Sequence, residues 1–218
     1  MFKQVLMVMG FWSLMSPSLA TSTPVEYVDI PMTAQSIKSG AEVVTSVCMV
    51  CHSLKYIRYR DLLSIGLDLQ SVTTLRGQHA LESGLTALMD HEALLATFAL
   101  VPPDLSLITK TRRQGDQYVY ALLSAYHEDD KGQIKNTLNP DTRMPDVLSF
   151  GSVKNETDRK VLLGNLRDVT AFLNWSADPN EMKRHRLGYY VIGYLVIYTL
   201  LMYALKRREW AKLGVAAH

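Results

Sequence analysis

The chain has 218 residues, is 48% hydrophobic and 20% charged, and carries a formal net charge of +2. With 23 basic against 21 acidic side chains it lacks the strongly basic footprint of a nucleic-acid binder, and that class is excluded. Two cysteines in one cluster are too few for a closed structural zinc site, which takes four Cys or His ligands.

The N-terminus has the pattern of an export signal. Lys3 is the only charge in the first 25 residues, an apolar run extends from Val5 to Met15, and Ser18-Leu19-Ala20 forms a small-x-small cleavage site. A signal peptide over residues 1–20 is predicted, with the mature chain starting at Thr21. The apolar run is short for a membrane span, which takes about 20 residues. Residues 21–182 then form one exported domain, long enough for a single core.

Ile37, Ala41, Val44 and Cys48 recur at helical spacing and predict a helix leading into Cys48-Met49-Val50-Cys51-His52. This C-x-x-C-H run uses both cysteines and is the attachment pattern of c-type haem. Two thiols at this spacing can add to the vinyl groups on one edge of a haem, and the next residue, His52, then lies under the iron as an axial ligand. A thioredoxin-like C-x-x-C belongs in an α/β pattern, and the chain lacks alternating β-type runs. The expectation is one covalent haem c, held by Cys48 and Cys51, and one-electron redox chemistry.

Leu81, Leu85, Leu88, Leu95 and Phe98 predict a second helix, and Val101-Pro102-Pro103-Asp104 a stiff break. Tyr118, Leu122 and Ala125, alongside Val119 and Leu123, predict a third helix. Leu162, Leu166, Val169 and Leu173 predict a fourth, with Asn155 or Thr157 as its N-cap. Glu128-Asp129-Asp130 is the densest acidic run, either a solvated loop or a docking site for a basic partner.

A thioether as second axial ligand would raise the potential. The exported domain offers Met32, Met49, Met89, Met144 and Met182. Met49 lies inside the attachment motif and Met182 abuts the C-terminal apolar stretch. Met144 follows His52 by 92 residues, in a loop rich in turn formers that Pro145 would stiffen, and is the candidate ligand. Met89, or one of His79, His91 and His127, is the alternative; no motif surrounds the histidines. A helix before the haem motif, a loop-borne second ligand and a closing helix give a mainly α, class I cytochrome c-like haem domain.

Leu187 to Leu205 is apolar without a charge, and at about 1.5 Å per residue its helix would span about 28 Å. Lys183, Arg184 and Arg186 precede it, and Lys206, Arg207, Arg208 and Lys212 follow. Tyr189, Tyr190 and Trp210 sit where an aromatic belt would place them. A single C-terminal transmembrane anchor over 183–208 is expected. With residues 21–182 exported, residues 209–218 would form a cytoplasmic tail. Residues 21–182 carry 15 basic and 20 acidic side chains, a net −5, while residues 183–218 carry seven and one, a net +6. An acidic redox domain suits a basic diffusible acceptor, whose approach opposite charge would steer.

Taken in order, these segments resemble the cytochrome c1 family, the haem subunits of the cytochrome bc1 complex. The resemblance rests on Val47-Cys48 through Tyr59-Arg60-Asp61-Leu62, then Pro102-Pro103-Asp104-Leu105-Ser106, Tyr118-Val119-Tyr120-Ala121-Leu122-Leu123 and Met144-Pro145. It continues through Ala171-Phe172-Leu173-Asn174-Trp175 to Lys206-Arg207-Arg208-Glu209-Trp210 after the anchor. It implies axial ligation by His52 and Met144 and places Pro103 against the haem. It also implies an electron-transfer subunit of ubiquinol–cytochrome c reductase. The partners would be cytochrome b and a Rieske iron–sulfur protein, with a soluble cytochrome c as acceptor, and the short, Arg-free signal peptide places the haem domain in a bacterial periplasm. The family also brings an arginine to a haem propionate; residues 92–101 hold none, leaving Arg112, Arg113 and Arg143 as candidates. The segment between the haem motif and Pro102 is compressed into residues 63–101, and no Phe-Pro-Gly precedes Met144. A free-standing anchored cytochrome feeding a terminal oxidase would share the haem and anchor. A haem sensor or peroxidase would need an open distal site.

Overall fold

Thr33 opens the first helix, α1 (Ala34–Ser46): its hydroxyl accepts the Ser36 N–H at 3.1 Å, satisfying one donor that a helix start leaves free. A 3-10 turn, Cys48–Val50, follows directly, then strand β1 (Leu54–Arg58) and the short helices α2 (Tyr59–Ser64) and α3 (Leu69–Arg76). Strand β2 (Gly84–Leu85) pairs antiparallel with β1, Leu54 opposite Leu85 and Arg58 opposite Gly84. Helices α4 (His91–Phe98), α5 (Ile108–Thr111) and α6 (Gly115–Ser124) come next. A hairpin of β3 (Tyr126–Glu128) and β4 (Ile134–Asn136) leads to the long helices α7 (Glu156–Ala177) and α8 (Glu181–Lys212). This is a computed structural model; it describes residues 25–212 and Gly214, so the signal peptide expected over 1–20 lies outside the described residues.

The core forms where α1 crosses α7. Gly40, Ala41 and Val44 of α1 and Leu166, Val169 and Phe172 of α7 are buried, and α6 adds Val119, Tyr120 and Leu123. Asn155 caps α7 as its sequence predicts, its side chain accepting the Thr157 N–H at 3.0 Å. Glu156 and Asp158 in the first turn suit the positive end of the helix dipole.

The helix expected from Leu81 to Phe98 exists only in its second half. Asp90 caps α4 by accepting the Ala93 N–H at 2.8 Å, so the helix starts there. Upstream, Gly84 lies so close to β1 that a Cβ on it would sit 2.4 Å from the Lys55 carbonyl oxygen, and Leu85 is fully buried beneath the strand pair. Leucines four apart fit a helix but also share one face of an extended chain. Here the partner strand decided.

The acidic run occupies the β3–β4 turn. Asp129 accepts the N–H groups of Lys131 and Gln133, both at 2.9 Å, and pairs with Lys135 at 2.7 Å. The Lys135 and Gln133 hydrogen bonds pull its carboxyl down to about 2. Glu128 pairs with Lys154 at 3.2 Å. Two of the three acidic groups are engaged within the domain, which favours a solvated turn over a docking site.

Helix α8 runs unbroken past Arg208, where the sequence places the end of the anchor. Its apolar side chains from Leu187 to Leu205 are exposed, and the helix is long and apolar enough to cross a membrane. The fold is mainly α, with a haem-motif domain followed by this apolar helix.

Candidate functional site

The C-x-x-C-H run is wound into a tight coil by its own backbone. The N–H groups of Cys51 and His52 both donate to the Cys48 carbonyl, at 3.1 and 2.9 Å. Cys48, Cys51 and His52 all line one cleft. Burial, reinforced by Cys51 beside it, pushes the Cys48 thiol up to about 11. Both sulfurs are free of disulfide bonding, and a neutral thiol that becomes a thioether leaves no ionisable proton behind in this apolar place.

His52 Nδ1 lies 2.7 Å from the Pro103 carbonyl oxygen. A carbonyl only accepts, so Nδ1 carries the proton and Nε2 keeps its lone pair for a metal. Burial lowers the imidazole below its usual range, against the opposing pull of the Pro103 carbonyl and the Asp104 charge, which also favours the neutral ligating form.

The Pro102–Ser106 run is held in place for that bond. Asp104 accepts the Lys55 N–H at 3.0 Å through one oxygen and the Ser106 N–H at 2.8 Å through the other. The fully buried Ser106 hydroxyl accepts the Tyr56 N–H at 3.1 Å, and Leu105 N–H donates to the Ser53 carbonyl at 2.9 Å. Asp104 and Ser106 are functional residues that sequence reasoning assigned no role: they fasten the His52 acceptor to β1. Pro103 itself lines the cleft, where the sequence expected it against a haem.

Met144 lines the same cleft, on the loop between β4 and α7. Among the described residues Met32, Met49 and Met89 do not. Met49 is fully buried in the core, and Met89 has its sulfur 3.9 Å from Cys51 Sγ and donates its N–H to the Val50 carbonyl at 3.0 Å. His79, His91 and His127 are likewise absent from the lining. The Tyr126 hydroxyl donates to the Met144 carbonyl at 2.8 Å, and burial, with Asp146 nearby, raises that phenol above its usual range. Tyr126→Phe should leave this carbonyl without its donor and cost about 1 kcal/mol, an apparent melting midpoint about 2–4 °C lower with haem content unchanged. Thermal unfolding followed by circular dichroism checks this.

The cleft opens to solvent and has a cavity volume of about 300 Å³. Leu100, Pro102, Leu105, Val119, Leu123 and Val169 give it apolar walls; among the described residues Arg112 and Arg143 are the only charged ones lining it, and Arg113 is not among the lining residues. Arg112 lies over the Tyr118 ring, 5.5 Å from its centroid. Two thiols, an imidazole with a free Nε2, a thioether, an apolar interior and two cations form a donor set that fits a c-type haem with two propionates.

The profile of the Cytochrome C1 family matches residues 31–88 and 86–213. A mitochondrial cytochrome c1 haem protein of Solanum tuberosum is 31% identical over 206 residues, covering 82% of this chain and 79% of the relative. Cytochrome c1 of Allochromatium vinosum is 31% identical over 205 residues, covering 80% and 83%. A protein named cytochrome b/c1 from Bradyrhizobium diazoefficiens is 28% identical over 226 residues, covering 81% of this chain and 33% of the relative. A profile match over most of the described residues, joined by these similarities, shows that the chain belongs to the cytochrome c1 family, the haem-containing electron-transfer subunits of the bc1 complex.

Proposed function

We propose that this chain is the haem c subunit of a ubiquinol–cytochrome c reductase. It takes one electron from a Rieske iron–sulfur centre and hands it to a soluble cytochrome c. The observation that carries the reading is the cleft that brings Cys48, Cys51 and His52 together with Met144, with the His52 tautomer set by the Pro103 carbonyl.

Bound there, a haem supplies reversible one-electron chemistry. The chain's own residues do the rest. Cys48 and Cys51 retain the group as thioethers. His52 presents Nε2, and Met144 presents a thioether sulfur that favours the reduced state. The apolar walls keep water from the site, and Arg112 and Arg143 balance propionate charge. No proton is moved at this site, so no general base or nucleophile is required.

Quinol oxidation belongs to partner subunits, cytochrome b and the Rieske protein; the relative whose name joins cytochrome b to c1 supports the first of these. Residues 21–182 form the exported haem domain, 183–208 the anchor and 209–218 a cytoplasmic tail, after removal of 1–20. Basic residues flank both ends of the anchor, Lys183, Arg184 and Arg186 before it and Lys206, Arg207, Arg208 and Lys212 after it, so the N-terminal export signal is what supports this orientation in a cell membrane. Deleting the gene should abolish antimycin-sensitive quinol–cytochrome c reductase activity in the host's membranes; intact activity would refute the proposal.

A further inference from the structure

Helix α4 ends on Ala99 in the left-handed region, φ 55° and ψ 21°, a conformation unfavourable for a residue with a Cβ. The helix fully buries one side chain, Leu94, so its own packing holds it weakly. Its last carbonyls lack helical acceptor roles and form the negative end of the helix dipole. A guanidinium from a distant part of the chain takes them. Arg143 Nη1 donates to the Phe98 carbonyl at 3.1 Å and the Ala99 carbonyl at 3.2 Å. Phe98 and Leu100 line the cleft beside this bond, and Arg143 and Met144 line it from the ligand loop. The bond therefore ties the compressed segment to the ligand loop one residue before Met144, whose carbonyl is held by Tyr126.

We propose that Arg143 is a positioning residue for axial ligation: by stapling the ligand loop to the C-terminus of α4, it keeps Met144 seated and closes that edge of the cleft. The role rests on the reading of Met144 as the axial ligand and acts through it. Residue type matters, because a planar guanidinium pre-organises several donors while a lysine offers a compact, flexible charge. Glutamine removes the charge that complements the helix end.

The test uses the full-length holoprotein in detergent, as wild type, Arg143→Gln and Arg143→Lys. Two properties are read: the far-red absorption band of thioether-ligated ferric haem, and the affinity of the ferric protein for cyanide, which must displace the thioether. Arg143→Gln should weaken the band and bind cyanide about tenfold more tightly, the effect of losing one charge-assisted hydrogen bond. Arg143→Lys should fall between it and wild type. Wild-type band and cyanide affinity in both variants, or in Arg143→Lys alone if Arg143→Gln does not accumulate, would overturn the role. A wild-type protein that lacks the band would instead refute Met144 ligation itself, an outcome distinct from unchanged variants.

Discussion

Met144→Leu should lower the reduction potential of the haem by roughly 100 mV or more, within the ~0.8 V range that axial ligands span. The thioether stabilises the reduced iron, and leucine has no lone pair to replace it. Leucine and methionine have similar volumes, so the swap should cost less than about 1.5 kcal/mol of stability and leave the domain folded. The vacated position should then bind carbon monoxide in the reduced protein, which wild type should not. Potentiometric titration of the detergent-purified chain checks the first effect and the absorption change with carbon monoxide the second. An unchanged potential would exclude Met144 as ligand and reopen the choice among the other methionines and histidines.

Gly40→Ala is expected to be the most destabilising small substitution in the domain. A Cβ at this position would stand 1.9 Å from the Asp168 carbonyl oxygen, 2.5 Å from its carbon and 2.9 Å from Phe172 Cβ. Backbone atoms cannot swing aside as a side-chain tip can, so α1 and α7 must separate and loosen the buried contacts between them. Overpacking of this kind costs about 3 kcal/mol or more. Alanine's better helix propensity returns only about 1 kcal/mol. The net loss of about 2 kcal/mol should lower the apparent melting midpoint by about 4–8 °C. Gly164 on α7 is the internal control, because a Cβ there meets nothing within 4 Å. Gly164→Ala should therefore stabilise slightly, by up to about 1 kcal/mol. Thermal unfolding of the two variants side by side should give shifts of opposite sign; equal shifts would mean that the helix crossing is looser than this geometry.

Features encoded locally were legible in the sequence. The C-x-x-C-H run carries its chemistry in five consecutive residues. The α6 and α7 patterns repeat over several turns, and the Asn155 cap lies beside the helix it starts. Features made by distant partners were not legible. Leu81 and Leu85 fit a helical period, yet Leu85 joins a strand because Lys55, 29 positions before Gly84, lies alongside. Asp104 and Ser106 read as parts of a family motif, while their work is to bond backbone groups about 50 residues away. Arg143 was one of three candidate propionate partners, and its bonds to Phe98 and Ala99 depend on how α4 ends. Loop composition and the position of Pro145 singled out Met144 in the sequence, and among the described residues it is the methionine that lines the cleft.

Purification of this chain from its own membranes in mild detergent, with haem staining of the denatured polypeptides and identification of what accompanies it, tests the central claim most directly. The account predicts haem stain that survives denaturation on this polypeptide, together with a b-type cytochrome and an iron–sulfur protein in the same particle. Haem stain on a chain that purifies alone would contradict its place in a bc1 complex, and a chain without stain would contradict covalent attachment at Cys48 and Cys51.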